Sequence, residues 1–194
     1  MKKLLVLITA VMVSSSAFAK MEPLANSLFK AIKKGQNSEL TRLLKQDAYK
    51  NQVNATVGKK KNPLLLIAAK KGSKQIVENL LTNGADPLAK NTDKTTALMI
   101  AAERGYYSII ESILDHITDK DVKKTYINEQ NTDGSTALFL AVDSDPDNLT
   151  AIVKLLVANG ADSSIANNDG YTPAQLATDC EMASVANAMT VKEN

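Results

Sequence analysis

The chain has 194 residues, a formal charge of +2, one cysteine, one histidine and no tryptophan. That length fits one domain or two small ones, and a hydrophobic fraction of 44% is enough for a packed core and excludes a wholly disordered chain. The lone Cys180 excludes a disulfide framework and a cysteine zinc cluster, and the lone His116 excludes multi-histidine metal sites, so no metal or cofactor is expected.

The chain begins with Lys2 and Lys3, an apolar run from Leu4 to Val13, and the small-x-small triplet Ala17-Phe18-Ala19. This pattern reads as a secretory signal over residues 1–19. The apolar run falls short of the roughly 20 residues that span a bilayer, and no cysteine follows it to carry a lipid anchor. Cleavage after Ala19 leaves residues 20–194, in which 21 basic side chains balance 21 acidic ones. A soluble exported product is expected, periplasmic or alternatively secreted.

The remainder repeats itself. Leu28-Phe29-Lys30-Ala31-Ile32-Lys33-Lys34-Gly35 is followed by Leu65-Leu66-Ile67-Ala68-Ala69-Lys70-Lys71-Gly72 and by Leu98-Met99-Ile100-Ala101-Ala102-Glu103-Arg104-Gly105. Leu138-Phe139-Leu140-Ala141-Val142 continues the series, and Thr172-Pro173-Ala174-Gln175-Leu176-Ala177 is a weaker fifth copy. The first alanines stand 37, 33, 40 and 36 residues apart. A period of this size indicates a stack of small supersecondary units.

Each copy predicts a pair of helices. Thr96 and Thr136 sit where an N-cap hydroxyl accepts from a free helix N–H, and Thr172-Pro173 adds proline at the first helical position. The alanines are small where neighbouring repeats must approach, and Gly35, Gly72 and Gly105 end the first helix in a left-handed conformation. The second helix carries apolar pairs four apart: Ile76-Val77 with Leu80-Leu81, Ile109-Ile110 with Ile113-Leu114, and Ile152-Val153 with Leu156-Val157. Gly84-Ala85-Asp86 and Gly160-Ala161-Asp162 close it, and Asp133-Gly134 and Asp169-Gly170 mark tight turns.

The Thr-Ala-Leu and Thr-Pro-Ala starts, the Ala-Ala pairs, the phased glycines and both Gly-Ala-Asp closures resemble the ankyrin repeat family over about residues 22 to 190. Together with the leader, the likeness is to an exported, periplasmic-type bacterial member. The resemblance implies an all-α solenoid of about five helix-turn-helix repeats with terminal caps, over about 22–57, 58–90, 91–130, 131–166 and 167–194. The third repeat is seven residues longer than the basic 33 and lacks the Gly-Ala-Asp closure, so its second helix is expected to run on through His116–Val122 as a helix end and loop. The fourth lacks the glycine and inserts three residues around Asp143–Asp147, and the last lacks the second-helix pattern.

Catalytic constellations are absent from the sequence. His116 adjoins Asp115, but no Gly-x-Ser-x-Gly elbow or phosphate-cradling glycine loop occurs, and no histidine lies near Cys180 in sequence. His116 reads as a partly exposed residue near a helix end, and Cys180 as a half-buried residue of the last cap. No enzyme is expected.

The resemblance implies that partners contact the turn tips and the concave face lined by first helices. The pairs after each alanine pair are Lys33-Lys34, Lys70-Lys71, Glu103-Arg104, Asp143-Ser144 and Asp179-Cys180, running from positive to negative. The tips follow the same trend: Lys59-Lys60-Lys61, then Asp93, then Asp133, then Asp169 beside Tyr171. Residues 20–90 hold 14 Lys and Arg against 5 Asp and Glu, and residues 91–194 hold 7 against 16, a split of +9 and −9. Stacked at roughly 8 to 10 Å per repeat, the two ends lie several Debye lengths of about 8 Å apart. Each can therefore steer a partner of opposite sign.

The expected function is a non-enzymatic protein-interaction module, binding an exported protein through that face and the tips. Lys33, Lys34, Lys59, Lys60, Lys61, Lys70, Lys71, Asp93, Glu103, Arg104, Asp133, Asp143 and Tyr171 are the candidate contacts. An alternative within this class is an immunity or inhibitor protein that neutralises a toxin, or an accessory protein that protects a periplasmic enzyme. Nucleic acid is disfavoured by export, few aromatics and the acidic pole. The lysines leave peripheral contact with an anionic membrane surface open, without an integral span. A monomer is expected, with head-to-tail association of opposite poles as the rival.

Overall fold

The computed structural model describes residues 15–190. The apolar core of the expected leader therefore lies outside the described residues. Among the described residues there are twelve helices and one short hairpin. Five helices form an inner row: α1 (Ser15–Lys34), α4 (Leu64–Lys71), α6 (Ala97–Glu103), α9 (Ala137–Ser144) and α11 (Pro173–Asp179). Five form an outer row: α2 (Asn37–Leu44), α5 (Lys74–Thr82), α7 (Tyr107–Asp115), α10 (Leu149–Ala158) and α12 (Ala183–Thr190). Two short helices, α3 (Asp47–Lys50) and α8 (Lys120–Ile127), and the hairpin β1 (Thr56–Val57) with β2 (Asn62–Pro63) complete the chain.

The inner helices pack in chain order, each on the next, and the outer helices do the same behind them. What allows this is the alanine pattern. Ala68, Ala69, Ala101, Ala102 and Ala141 have no solvent exposure, and their methyl groups take little room where neighbouring inner helices meet. The outer helices contribute the apolar pairs read from the sequence: Ile76, Val77, Leu80, Ile109, Ile110, Ile113, Ile152, Val153 and Leu156 are all buried. These residues belong to one continuous core running the length of the stack, the arrangement of a solenoid whose repeats bury their faces on one another.

Threonine caps start the inner helices α6, α9 and α11. The hydroxyls of Thr96, Thr136 and Thr172 accept from the backbone N–H groups of Met99, Phe139 and Gln175, and Gln175 returns the bond to Thr172 N. At the other end, Gly72 and Gly105 have φ of 75° and 73°, and both are approached closely by the following repeat. A Cβ at Gly105 would stand 2.7 Å from Pro146 Cβ, and one at Gly72 would stand 2.7 Å from the Tyr106 ring. Glycine is therefore required twice over, by the left-handed backbone and by the packing.

The structure corrects the sequence reading in four places. The segment after α7 is not an extended helix end: α7 stops at Asp115 with His116 as its C-cap, and a separate helix, α8, begins after Asp119. Asp119 Oδ1 accepts from Asp121 N and Val122 N, supplying the cap that starts α8. The last repeat does form its second helix, although α12 buries only Val185 and Ala188. Cys180 is exposed rather than half-buried. The first lysine tip is carried by a two-stranded hairpin, a strand element the all-helical reading did not include.

Candidate partner-binding surface

Because the inner helices pack side by side, their C-terminal turns form a row. Lys33 and Lys34 lie in the last turn of α1 and Lys70 and Lys71 in that of α4, all four exposed. Lys71 reaches back across the row, its Cε 3.7 Å from where a Cβ on Gly35 would stand. Glu103 closes α6 half-buried, with Arg104 exposed as the C-cap. Asp143 and Ser144 end α9, and Asp179 ends α11, all exposed. The sequence-predicted charge order is thus laid out along one row of helix ends.

Four salt bridges occur among the described residues, and they join Arg42 to Glu39, Lys60 to Asp93, Lys74 to Glu78 and Lys90 to Glu129. None involves Lys33, Lys34, Lys70, Lys71, Glu103, Arg104 or Asp143. Those charges are not neutralised by one another within the described residues, and a partner of opposite sign need not break an ion pair to reach them. Lys33 Nζ lies 6.0 Å from the Phe29 ring centroid, at the outer limit of a cation–π contact.

The turn tips are built by a different device. Asn91 Oδ1 accepts from Asp93 N and Thr95 N, Asn131 Oδ1 from Asp133 N and Ser135 N, and Asn167 Oδ1 from Asp169 N and Tyr171 N. Each asparagine folds its own tip, as short polar side chains do in turns. The tips are then joined edge to edge: Thr92 N donates to Lys60 O, Thr132 N to Asp93 O, and Asn168 N to Asp133 O. The signal for this device in the sequence is an asparagine two residues before each of Asp93, Asp133 and Asp169.

Two of the tip candidates hold each other. Lys60 Nζ donates to Asp93 Oδ2 on the next tip, and that bond raises the lysine pKa above its ordinary value. Lys59, Lys61 and Asp133 remain exposed, and Tyr171, 54% exposed at the last tip, is one of two large hydrophobic side chains left open among the described residues. The other, Val122 on α8, was not singled out in the sequence.

A second asparagine device joins neighbouring repeats. Asn54 Nδ2 donates to Gly84 O while its Oδ1 accepts from Asp86 N, and Asn128 does the same with Gly160 O and Asp162 N. The repeats without a Gly-Ala-Asp closure thus supply an amide that clasps the closure of the next. The visible signal is the Val53-Asn54 and Ile127-Asn128 pair, each a buried aliphatic before the clasp.

His116 is exposed, with Nδ1 2.8 Å from Ser112 O at the C-terminal end of α7. No group of three or more His, Cys, Asp and Glu side chains placed to hold a metal ion occurs among the described residues. No described helix is long and apolar enough to cross a membrane.

Comparison with known families agrees with this architecture. The sequence model described as "Ankyrin repeats (3 copies)" matches residues 28–126, and that described as "Ankyrin repeat" matches residues 133–168. No curated protein matches the chain. Ankyrin repeats are protein–protein interaction modules and are typically non-enzymatic. With matched residues from α1 through α10 and with α11 and α12 continuing the same paired geometry, the chain belongs to the ankyrin repeat family.

Proposed function

We propose that this protein is a non-enzymatic binding module, exported from the cytoplasm, that captures an exported protein partner along its inner-helix ends and turn tips. The partner is charge-polarised, with an acidic surface against Lys33, Lys34, Lys70 and Lys71 and a basic surface against Asp143 and Asp179. The observation that supports this reading is the row of helix ends, in which charge passes from positive to negative without internal ion pairing. Uncompensated charge at a rim speeds encounter and fixes orientation more than it adds affinity. Export rests on the pattern of Lys2, Lys3, Leu4–Val13 and Ala17-Phe18-Ala19.

Cross-linking and affinity capture from an exported-protein extract, at low and high salt, test the binding face. Capture falls steeply with salt, and falls again when Lys70→Gln and Lys71→Gln are combined. Capture that is indifferent to both sinks the assignment of this face. Mass spectrometry of the protein from its native compartment tests export separately: the expected first residue is Lys20, and a chain retaining residues 1–19 overturns that part.

A further inference from the structure

Four turn tips line the edge from which the inner helices start, and all four close with the same backbone bond. The N–H of Lys61 donates to Gly58 O, that of Lys94 to Asn91 O, that of Gly134 to Asn131 O and that of Gly170 to Asn167 O. The donating residue is left-handed each time, with φ of 48° at Lys61, 57° at Lys94, 75° at Gly134 and 86° at Gly170. Glycine takes that conformation freely, whereas a residue with a Cβ is strained in it. The first two tips thus place a lysine where the last two place the residue the backbone favours. Such an outlier points to function when the fold does not use the side chain, and neither Lys61 nor Lys94 forms a salt bridge among the described residues.

The strained lysines have company. The tips at 58–62 and 91–95 hold four lysines, all exposed, against the single Asp93, and Lys60 takes that aspartate. Thr92 N donates to Lys60 O, so the two tips adjoin, and Lys59, Lys61 and Lys94 share one short stretch of the edge. Beyond it the edge turns acidic, at the exposed Asp133 and Asp169. The large hydrophobic side chains exposed among the described residues are Val122 and Tyr171, and neither belongs to these two tips. Protein interfaces draw their affinity from aromatic or arginine anchors seated in pockets, and neither tip contains such a residue. A layer of anionic headgroups is held by lysine charge alone.

We propose that the stretch formed by Lys59, Lys61 and Lys94 rests on an anionic phospholipid surface. The tips stand at the N-terminal ends of the inner helices, whereas Lys70 and Lys71 lie at the C-terminal end of α4, a helix of eight residues and so about 12 Å long. Contact through the first two tips therefore leaves the row of helix ends open to a protein partner. Repulsion of Asp133 and Asp169 tilts the acidic repeats away from the surface. The contact requires neither export nor capture along the helix ends, and it gives that capture a fixed orientation.

The test floats the full chain, as the cell produces it, with vesicles of equal parts phosphatidylcholine and phosphatidylglycerol. Vesicles of phosphatidylcholine alone, run alongside, subtract any contact made by the apolar run Leu4–Val13. Binding to the anionic vesicles is expected to exceed that to the neutral ones and to weaken with salt. Lys61→Gly combined with Lys94→Gly weakens it about 30-fold, while relief of the two left-handed positions raises the melting temperature by about 4–10 °C. Lys59→Gln, which leaves the backbone alone, weakens it about fivefold without moving the melting temperature. Lys70→Gln with Lys71→Gln leaves vesicle binding unchanged, which separates this contact from capture along the helix ends. Equal binding to both vesicles, or binding indifferent to the tip variants, overturns the proposal. So does a double glycine variant that melts no higher, since the lysines are then unstrained. Tip variants that lower capture of a protein partner and spare vesicle binding assign the tips to an acidic protein and overturn it equally.

Discussion

The basic and acidic ends of the molecule finish their inner helices in opposite ways. At the basic end the helix closes Lys33-Lys34-Gly35 and Lys70-Lys71-Gly72, and at the acidic end it closes Asp143-Ser144-Asp145 and Asp179-Cys180-Glu181. The third residue is left-handed in every case, with φ of 72° and 75° at the glycines but 43° at Asp145 and 57° at Glu181. Lysines in a last turn suit the helix dipole, and glycine suits the left-handed position. Acids do neither. Each non-glycine residue there costs about 1–2 kcal/mol, and each misplaced charge about 0.3–1 kcal/mol. The lysines are thus explained by the helix alone, whereas the acids are held against it, and it is the acidic end whose charge calls for a functional reason.

The largest effect should come from imposing a side chain where the basic-type closure needs none. Gly105→Ala combines a left-handed alanine with a clash against the rigid Pro146 ring, and should cost about 2–4 kcal/mol in urea denaturation. Gly35→Ala, with only Lys71 Cε nearby, should cost about 1 kcal/mol. The converse change at the acidic end should stabilise: Asp145→Gly and Glu181→Gly should each gain about 1 kcal/mol. Failure of either to stabilise would show that the fold uses those acids after all, and would remove the contrast. Smaller still, Asp143→Lys should raise stability by about 0.3–1 kcal/mol, while Lys70→Gln should lower it by about the same or less. If Asp143→Lys stabilises the chain and also lowers partner capture, the acid is retained for binding.

One acid at that end does serve the fold. Asp162 Oδ1 accepts from Ser164 N and Ser164 Oγ, which lowers its pKa below 3.8. Its contribution is present above about pH 4 and is lost as pH falls through the lowered value. Thermal melts between about pH 5 and pH 2 should lose stability less steeply on the acid side in Ser164→Ala than in the parent, since the bond is then partly absent at every pH.

The inner helices and their spacing were legible because each carries part of one signal set: alanine pairs in α4 and α6, threonine caps on α6, α9 and α11, and left-handed glycines after α1, α4 and α6. The outer helices were legible wherever four aliphatic residues line a stripe. α12 was not, because Ala183, Ser184, Ala186 and Ala188 leave no such stripe, and a terminal helix needs to bury only one side. α8 was not, because Lys120–Ile127 is mostly polar and its burial falls on the two residues at its end, Tyr126 and Ile127. The missing glycine of the fourth repeat was visible, but not that an aspartate would take up its backbone conformation. The candidate charges were legible as a gradient, and all of them but Asp93 and Glu103 are exposed. That Lys60 and Asp93 would join was not, since it depends on adjacent tips being drawn together by backbone bonds.

Those backbone bonds give the stack a mechanical asymmetry. Along the tips, Lys60 to Thr92, Asp93 to Thr132 and Asp133 to Asn168 are tied main chain to main chain. Between outer helices, the ties are side-chain contacts such as Asn79 with Asn37 and Glu78 with Ser112. A chain tied by backbone bonds along one edge and by side-chain bonds along the other opens as a fan does. Thermal bending should widen the outer edge while tip spacing stays constant, so that a partner gripping several tips meets a ruler and not a spring.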